Sequence, residues 1–422
     1  MPFFDFFLSY NRRMSLFISL PKYFCIFLIV CCPVLYGQSN HGNVPVGWQT
    51  AAEKTDYKKT STYDETIAYA KKLAAASRGL IRYQSFGTSG EGRDLPLLIA
   101  ANDGAFSAKW AKRTGRPIIL IQAGIHAGEI DGKDAGLALL RDIAITKTRR
   151  DLLTDAIILF IPIYSVDGHE NWSAYNRINQ NGPDEMGFRA NATNLNLNRD
   201  YMKADAPETR AWLKLWNEWK PDLFIDCHVT DGADFQYNVT YDYGRYQDVN
   251  PSIKSWMNEH FDRNVVQKVE SEGNITTTYF DLVGREFTEG IAISPSTPRF
   301  STGYTPIRNR AGILIETHVY KPYRSRVRGT YDILRYTIEE VGNARESLLA
   351  ANVIADTQTV ERGKTYDAKR QFPLKVDLTD ISTPFVLKGL EYTVEDSQIS
   401  GGKKIVYGTA SKEYTVKKFD EA

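Results

Sequence analysis

Residues 118–129 read Ile118-Ile119-Leu120-Ile121-Gln122-Ala123-Gly124-Ile125-His126-Ala127-Gly128-Glu129. The apolar run that opens the stretch suits a strand buried on both faces of a parallel sheet. It stops at Gly124, and Gly132 to Ile145 then reads as a helix, with Ala135, Leu137, Leu139, Leu140 and Ile143 supplying most of an apolar face. His126 and Glu129 therefore lie in the loop at the carboxyl end of a strand, where open α/β sheets bind ligands. A His-x-x-Glu spacing can bring an imidazole nitrogen and a carboxylate oxygen onto one Zn²⁺. On its own such a pair is more often a solvated surface pair, so the chemistry turns on whether a third ligand exists.

Working outward, Ala156 to Ile163 is a second apolar strand, and strand, helix, strand of this length makes a parallel unit with a right-handed crossover. Pro221 to Cys227 is a short buried strand that delivers His228, and Ala311 to Ile315 is another that ends in Glu316. Three strand ends thus present side chains capable of zinc chemistry, far apart in the chain and joined only by a fold. Two histidines and a glutamate, with a fourth position open to water, form a hydrolytic zinc set. The metal lowers the pKa of its water toward ~7 and a nearby carboxylate takes the proton, a role for which Glu316 is the candidate.

The remainder fixes a mixed α/β class with a largely parallel central sheet, helices on both faces and a small C-terminal β module. Asp64 to Ala76 is a helix that Thr62 or Asp64 can cap, and Arg82 to Ala100 is a hairpin around a turn rich in Gly, Ser and Asp. Asn176 to Tyr201 is polar and reads as a long ordered loop near the site. Pro207 to Trp219 is a helix, residues 230–310 carry helix near Ile253 to Glu270, and Val327 to Asn352 closes the domain as helix. Short alternating segments follow at Phe372–Asp377, Pro384–Leu387, Leu390–Val394, Lys404–Tyr407 and Tyr414–Lys418, an appended module whose last strand lacks a closing element. The expected divisions are a signal peptide over 1–37, a linker over 38–60, a catalytic domain over 61–355 and the β module over 356–422.

The chain has 422 residues, 42% hydrophobic and 24% charged, with a net charge of +1. That balance is ordinary for a soluble globular protein and sets up no field toward nucleic acid or anionic lipid. Lys22 precedes an apolar core, Tyr23 to Leu35, short for a bilayer span, and Gly37 offers a cleavage point before Gln38. Export to the periplasm or the extracellular space is expected, with no stable membrane association after cleavage. A lipoprotein signal ending at Cys31 or Cys32 fits less well, because Val30 precedes Cys31 where a small residue belongs; an uncleaved anchor is a third reading. Cys227 is the one cysteine beyond that segment, so no internal disulfide is expected. The sequence GTSGEGRD lacks the Gly-Lys-Ser/Thr of a phosphate loop, and no Gly-x-Ser-x-Gly elbow occurs.

FGTSGEGRDLPLLIA, GIHAGEIDG, IPIYSVDGHE, FRANATNLNLNRD, FIDCH and ILIETH occur in this order between Phe86 and His318. The ordered set resembles the zinc metallocarboxypeptidases of the carboxypeptidase A superfamily, as a divergent, bacterial-type exported member. The resemblance implies one Zn²⁺ per chain, held by His126, Glu129 and His228, with Glu316 as general base and then acid. It implies that Arg189 polarises the scissile carbonyl and that Asn198 and Arg199 clamp a substrate carboxylate. Tyr304 is the choice for the family's substrate tyrosine, with aromatic packing as its other reading. Asn196 stands where an Asp usually orients the first histidine, Asp200 where Asn is commoner, and Ser165-Val166-Asp167-Gly168 replaces an Asn-Pro-Asp-Gly turn. These departures leave zinc hydrolysis intact and bear on exopeptidase specificity.

The expected activity is therefore removal of C-terminal residues from a peptide or amide substrate with a free carboxylate. An amidase or deacylase on cell-wall peptides or N-acyl amino acids would use the same water in a different pocket. A silent peptide- or glycan-binding protein would show the loss of a ligand or of the base, and none is lost. His41, His169, His260 and His318 read as structural or solvated, and the Lys321–Arg328 run reads as a solvated helix start.

Overall fold

In the computed structural model, which describes residues 44–422 apart from 247, 366 and 370–374, the chain is built on an eight-stranded sheet. The signal segment, its cleavage point at Gly37 and His41 lie outside the described residues. β1 (Ile81–Thr88) and β2 (Asp94–Ala100) form the antiparallel hairpin read from the sequence. β3 (Ile118–Ala123), β4 (Ile157–Ile161), β5 (Leu223–Val229) and β10 (Ala311–Thr317) run parallel at the centre in the order β4-β3-β5-β10. β6 (Val239–Tyr243) pairs antiparallel with β10 and parallel with β7 (Thr276–Thr278). Every residue of β3, β4 and β5 is buried, as continuous apolar runs require of central parallel strands.

All fourteen residues of the helix after β3, Asp131–Ala144, are buried, including its charged side. One face packs on the sheet, close enough that a Cβ at Gly132 or Gly136 would collide with Cys227 or the Phe160 ring. Helix Tyr323–Asn343 covers the opposite face, so the charges find partners instead of water. Asp134 accepts from Thr60 Oγ1 at 2.7 Å and from the Tyr323 hydroxyl, and Asp142 accepts from the Tyr331 hydroxyl at 2.9 Å. Lys133 Nζ donates to the Ser61 carbonyl and lies 2.9 Å from His169 Nε2, whose Nδ1 is 2.8 Å from Glu170. His169 is therefore a buried member of a lysine–histidine–glutamate chain. Arg326 is likewise buried, 3.6 Å from Asp131, so the Lys321–Arg328 run is not a purely solvated helix start.

Several expectations need correction. The stretch read as a linker is packed where it is described: Thr50 and Glu53 form a reciprocal capping box on helix Ala51–Lys54, Ala52 enters the main core, and Thr60 and Ser61 are buried. At the other end, four of the predicted short segments merge into two long strands, β11 (Thr383–Asp396) and β12 (Lys403–Phe419). A register shift between Leu390 and Tyr392 breaks the alternation and makes one strand read as two. Helix Arg345–Lys364 runs through the expected boundary at 356, and of the Phe372–Asp377 segment the described part, 375–377, is irregular. β12 pairs with β9 (Ile291–Ala292), which pairs with β8 (Asp281–Leu282), so the hairpin is joined to the preceding chain in a four-stranded sheet. The helix expected over Val327–Asn352 is present, as two helices that meet at Ala344. Among the described residues no helix is long and apolar enough to cross a membrane.

Burial, reinforced by the Lys133 cation, lowers the His169 pKa from 6.5 to about 4. The unfolded chain takes up this proton near pH 6.5 and the folded chain only near pH 4, so acidification through that window favours unfolding. The shift corresponds to roughly 3 kcal/mol of stability present above pH 6.5 and lost by pH 4. Urea unfolding at the two pH values should show a distinctly smaller loss in His169→Gln than in the wild type; equal losses would remove this role.

Candidate metal centre and active-site cleft

The turn after β3 and the end of β5 bring His126, Glu129 and His228 together, with one donor atom from each within 4.8 Å of the others. His126 Nδ1 is 3.2 Å from Glu129 Oε1, His228 Nδ1 is 3.0 Å from Glu129 Oε2, and the imidazole centroids are 5.0 Å apart. The outer nitrogens are taken up on the far side. His126 Nε2 is 3.1 Å from Asn196 Oδ1, and His228 Nε2 is 2.9 Å from Asp226 Oδ2. An amide oxygen and a carboxylate both accept, which assigns the protons to Nε2 and leaves each Nδ1 lone pair facing Glu129. His126 Nδ1 is buried and has no hydrogen-bond partner. Two lone pairs and a carboxylate turned on one another are repulsive unless a cation sits among them, and nitrogen and oxygen donors of this kind suit zinc.

The charges agree with that reading. Burial opposes ionisation of Glu129, but the neighbouring His126 and Arg177 outweigh it and hold its pKa well below the ordinary range. Burial lowers the pKa of His126. At His228 the Asp226 carboxylate overcomes burial and the pKa rises, so that without an ion this imidazole takes up a proton that a bound cation would displace. Asp226 is itself anchored by Gln122 Nε2 at 3.0 Å and by the Ser301 hydroxyl. Asn196 thus supplies the contact to the first histidine that its departure from the usual Asp put in question, through a neutral oxygen.

Glu316 is the register partner of His228 on the neighbouring strand, on the same face of the sheet. Its Oε2 is buried without a partner, and burial raises its pKa to about 8 in the metal-free protein. The three donors and Glu316 line a cleft of about 290 Å³ together with Arg189, Asn198, Arg199 and Tyr279. Arg189 Nη1 is 3.1 Å from Glu129 Oε1 and its side chain is 42% exposed, free to meet a ligand. Arg199 donates to the Asn198 carbonyl at 2.7 Å, and its guanidinium lies 4.1 Å over the Phe300 ring, presenting the remaining donors to the cleft. Asn198 Oδ1 accepts from Ser301 N at 2.8 Å. Asp200 does not load the clamp with negative charge, because it turns away to accept the amides of Asp205 and Ala206 at 3.0 and 2.9 Å.

Tyr304 is not in the cleft. Helix Ser301–Ile307 carries it into an aromatic cluster with Tyr201, Trp212 and Trp216, and its hydroxyl accepts from Arg308. The cleft tyrosine is Tyr279, just past β7, where neither periodicity nor motif marked it. Arg177 also escaped notice, although its Nη1 donates to Glu129 Oε1 at 2.7 Å. His318 is structural, 2.9 Å from Asp234 and stacked on Phe235, and His260 pairs with Glu340 at 2.9 Å.

Zinc titrated into the metal-free protein should raise its Tm, with the rise lost in His126→Ala and in His228→Ala, since a ligand that binds only the folded state stabilises it. Calorimetry on the three proteins checks this, and an undiminished rise in either variant would move the metal elsewhere.

The zinc carboxypeptidase family matches residues 66–305. Carboxypeptidase 2 of Trichophyton tonsurans is 28% identical over 189 residues, 44% of this chain and 31% of its own. The enzyme of the same name from Trichophyton rubrum is 27% identical over 169 residues, 40% and 28% of the two chains. This chain spans about a third of the length of these curated relatives. The crystal structure of carboxypeptidase A from Helicoverpa armigera shares the fold, with a TM-score of 0.50 at 18% identity over 70% of this chain and 75% of that one. The matched family segment contains all three metal donors, Arg189, Asn198 and Arg199, and covers more than half of the sequence: the chain belongs to the zinc carboxypeptidase family.

Proposed function

We propose that this protein is a zinc-dependent peptidase that removes C-terminal residues from a peptide or amide substrate with a free carboxylate. The observation that carries the reading is the unpartnered Glu316 Oε2 in the cleft that the three metal donors and Arg199 also line. His126, Glu129 and His228 hold the ion, which when bound supplies electrophilic activation of water and of the scissile carbonyl. Glu316 accepts a proton from that water and returns it to the departing amine, work suited to a carboxylate whose pKa burial has raised. With a divalent ion held by the three donors, the Glu316 carboxylate would titrate lower again and be charged when it is needed. Arg189 offers a flexible cation to the oxygen that becomes negative, and Arg199 with Asn198 fixes the terminal carboxylate. Tyr279 replaces Tyr304 as the phenol able to reach a bound peptide.

Glu316→Gln should lower kcat by ~10²–10⁴-fold while zinc content measured by elemental analysis stays at the wild-type level. Arg199→Ala should raise KM by ~10–100-fold for peptides with a free C-terminus and leave amidated peptides unaffected. Equal rates on free and amidated peptides with the wild type would replace the carboxypeptidase reading by the amidase or deacylase one. Retained turnover in Glu316→Gln would remove that residue's role.

The basic and apolar composition of residues 22–35, followed by Gly37, supports export to the periplasm or outside the cell. Protein secreted or fractionated from an expressing cell should begin at Gln38; an intact N-terminus retained in the cytoplasm would refute export.

A further inference from the structure

We propose that Arg177 is a positioning residue that fixes the metal-binding donors before the ion arrives; the proposal rests on the zinc-site reading above and deepens it. Arg177 lies in the polar loop between residues 176 and 201, which sequence patterning marks only as ordered. Its guanidinium is tied on every side. Nη1 donates to Glu129 Oε1 at 2.7 Å, Nη2 to the carbonyls of Val229 and Thr230 at 3.2 Å each, and Nε to Gln180 Oε1 at 2.7 Å. Gln180 Nε2 in turn donates to the Gly128 carbonyl at 3.0 Å. One side chain thus joins the two separate segments that carry the donors, the 126–129 turn and the end of β5.

The approach is possible only because residue 128 is glycine: a Cβ there would lie 2.8 Å from Arg177 Cδ and 2.8 Å from the Gly187 carbonyl. Glu129 Oε2 is held independently by the Val229 amide at 3.1 Å, so both carboxylate oxygens are aimed. Arg189 reaches the same Oε1 at 3.1 Å, but it is 42% exposed against 13% for Arg177, and among the described residues no second anchor holds it in the way Gln180 and two carbonyls hold Arg177. The two arginines therefore divide the work: Arg177 is fixed and orients the ligand, while Arg189 is free to turn toward substrate. A cation beside a ligand also competes with the metal for it, but here three other acceptors keep the guanidinium in place as an outer partner when the carboxylate turns to the ion. Outer partners of metal ligands are typically worth ~10–100-fold in affinity.

The test is zinc affinity itself, measured on the purified full chain by competition with a chromophoric chelator, beside the Tm of the metal-free and zinc-loaded forms. Arg177→Ala should raise the zinc Kd by ~10–100-fold and shrink the zinc-induced rise in Tm. Arg177→Lys, which keeps the charge but lacks the planar fork that spans four acceptors, should recover only a small part of the loss. A Kd within ~3-fold of the wild type, or a tighter one, overturns the proposal, as does an equal fall in both Tm values with Kd unchanged, the signature of simple loop support. If Arg177→Ala does not fold, Gln180→Ala serves instead: it frees Nε and should weaken zinc several-fold, and an unchanged Kd there overturns the proposal equally. A wild type that binds zinc tightly but hydrolyses no peptide would undo the peptidase reading and leave the role of Arg177 standing.

Discussion

A carboxylate buried between two imidazole lone pairs is tolerable only if positive charge is close, and much of this structure answers that requirement at Glu129. Arginines at 177 and 189 reach one of its oxygens and a backbone amide reaches the other. The histidines are locked by acceptors on their far sides, so the lone pairs cannot turn away. Charge of this kind in a low-dielectric interior is costly unless paired, and the pairing here stops short of complete: His126 Nδ1 and Glu316 Oε2 are left without partners. Those two gaps face the same cleft and are the places where an ion and a proton would enter.

The two histidines are not oriented alike. His228 sits against the carboxylate of Asp226, while His126 sits against the neutral amide of Asn196. A carboxylate raises the basicity of the imidazole it touches far more than an amide does, so the site is electronically lopsided, with the stronger nitrogen donor on β5. The Asn at 196 also turns its Oδ1 to the Asn198 amide at 3.0 Å, and in this way shapes the short turn from which Asn198 and Arg199 project. The orientation of His126 and the short turn that carries Asn198 and Arg199 are thus mechanically linked through one side chain.

How far the sequence reveals this depends on the kind of signal each residue carries. β3, β5 and β10 were legible because strands buried on both faces cannot alternate, and their runs end where a polar residue must lie at the sheet edge, at His126, His228 and Glu316. Tyr304 follows its other reading, aromatic packing, because position along the chain does not say which side of a helix a residue occupies, and helix Ser301–Ile307 turns it toward Trp212 and Trp216. Arg177 and Tyr279 were invisible for a different reason: both lie in irregular chain, where no period distinguishes a committed side chain from a solvated one. The polar side of helix Asp131–Ala144 carries no sequence sign of its burial, which comes from Tyr323–Asn343 packing over it.

The C-terminal hairpin shows why an element that reads as appended can belong to the cleft. Lys418 and Phe419 at the end of β12 pair with Ile291 and Ala292, and the Ile293 amide donates to the Phe419 carbonyl at 2.9 Å. Ala292 and Ser294 to Ser296 form one wall of the cleft. That wall has little regular structure of its own: β9 is two residues long, and 293–297 is coil. Its position is set from outside, by the last turn of chain and by the Tyr246 hydroxyl, which donates to the Ile293 carbonyl. A short strand with few internal hydrogen bonds keeps a fixed place only when a neighbour supplies the ladder, so the outer edge of the substrate site is held by residues more than a hundred positions further along the chain.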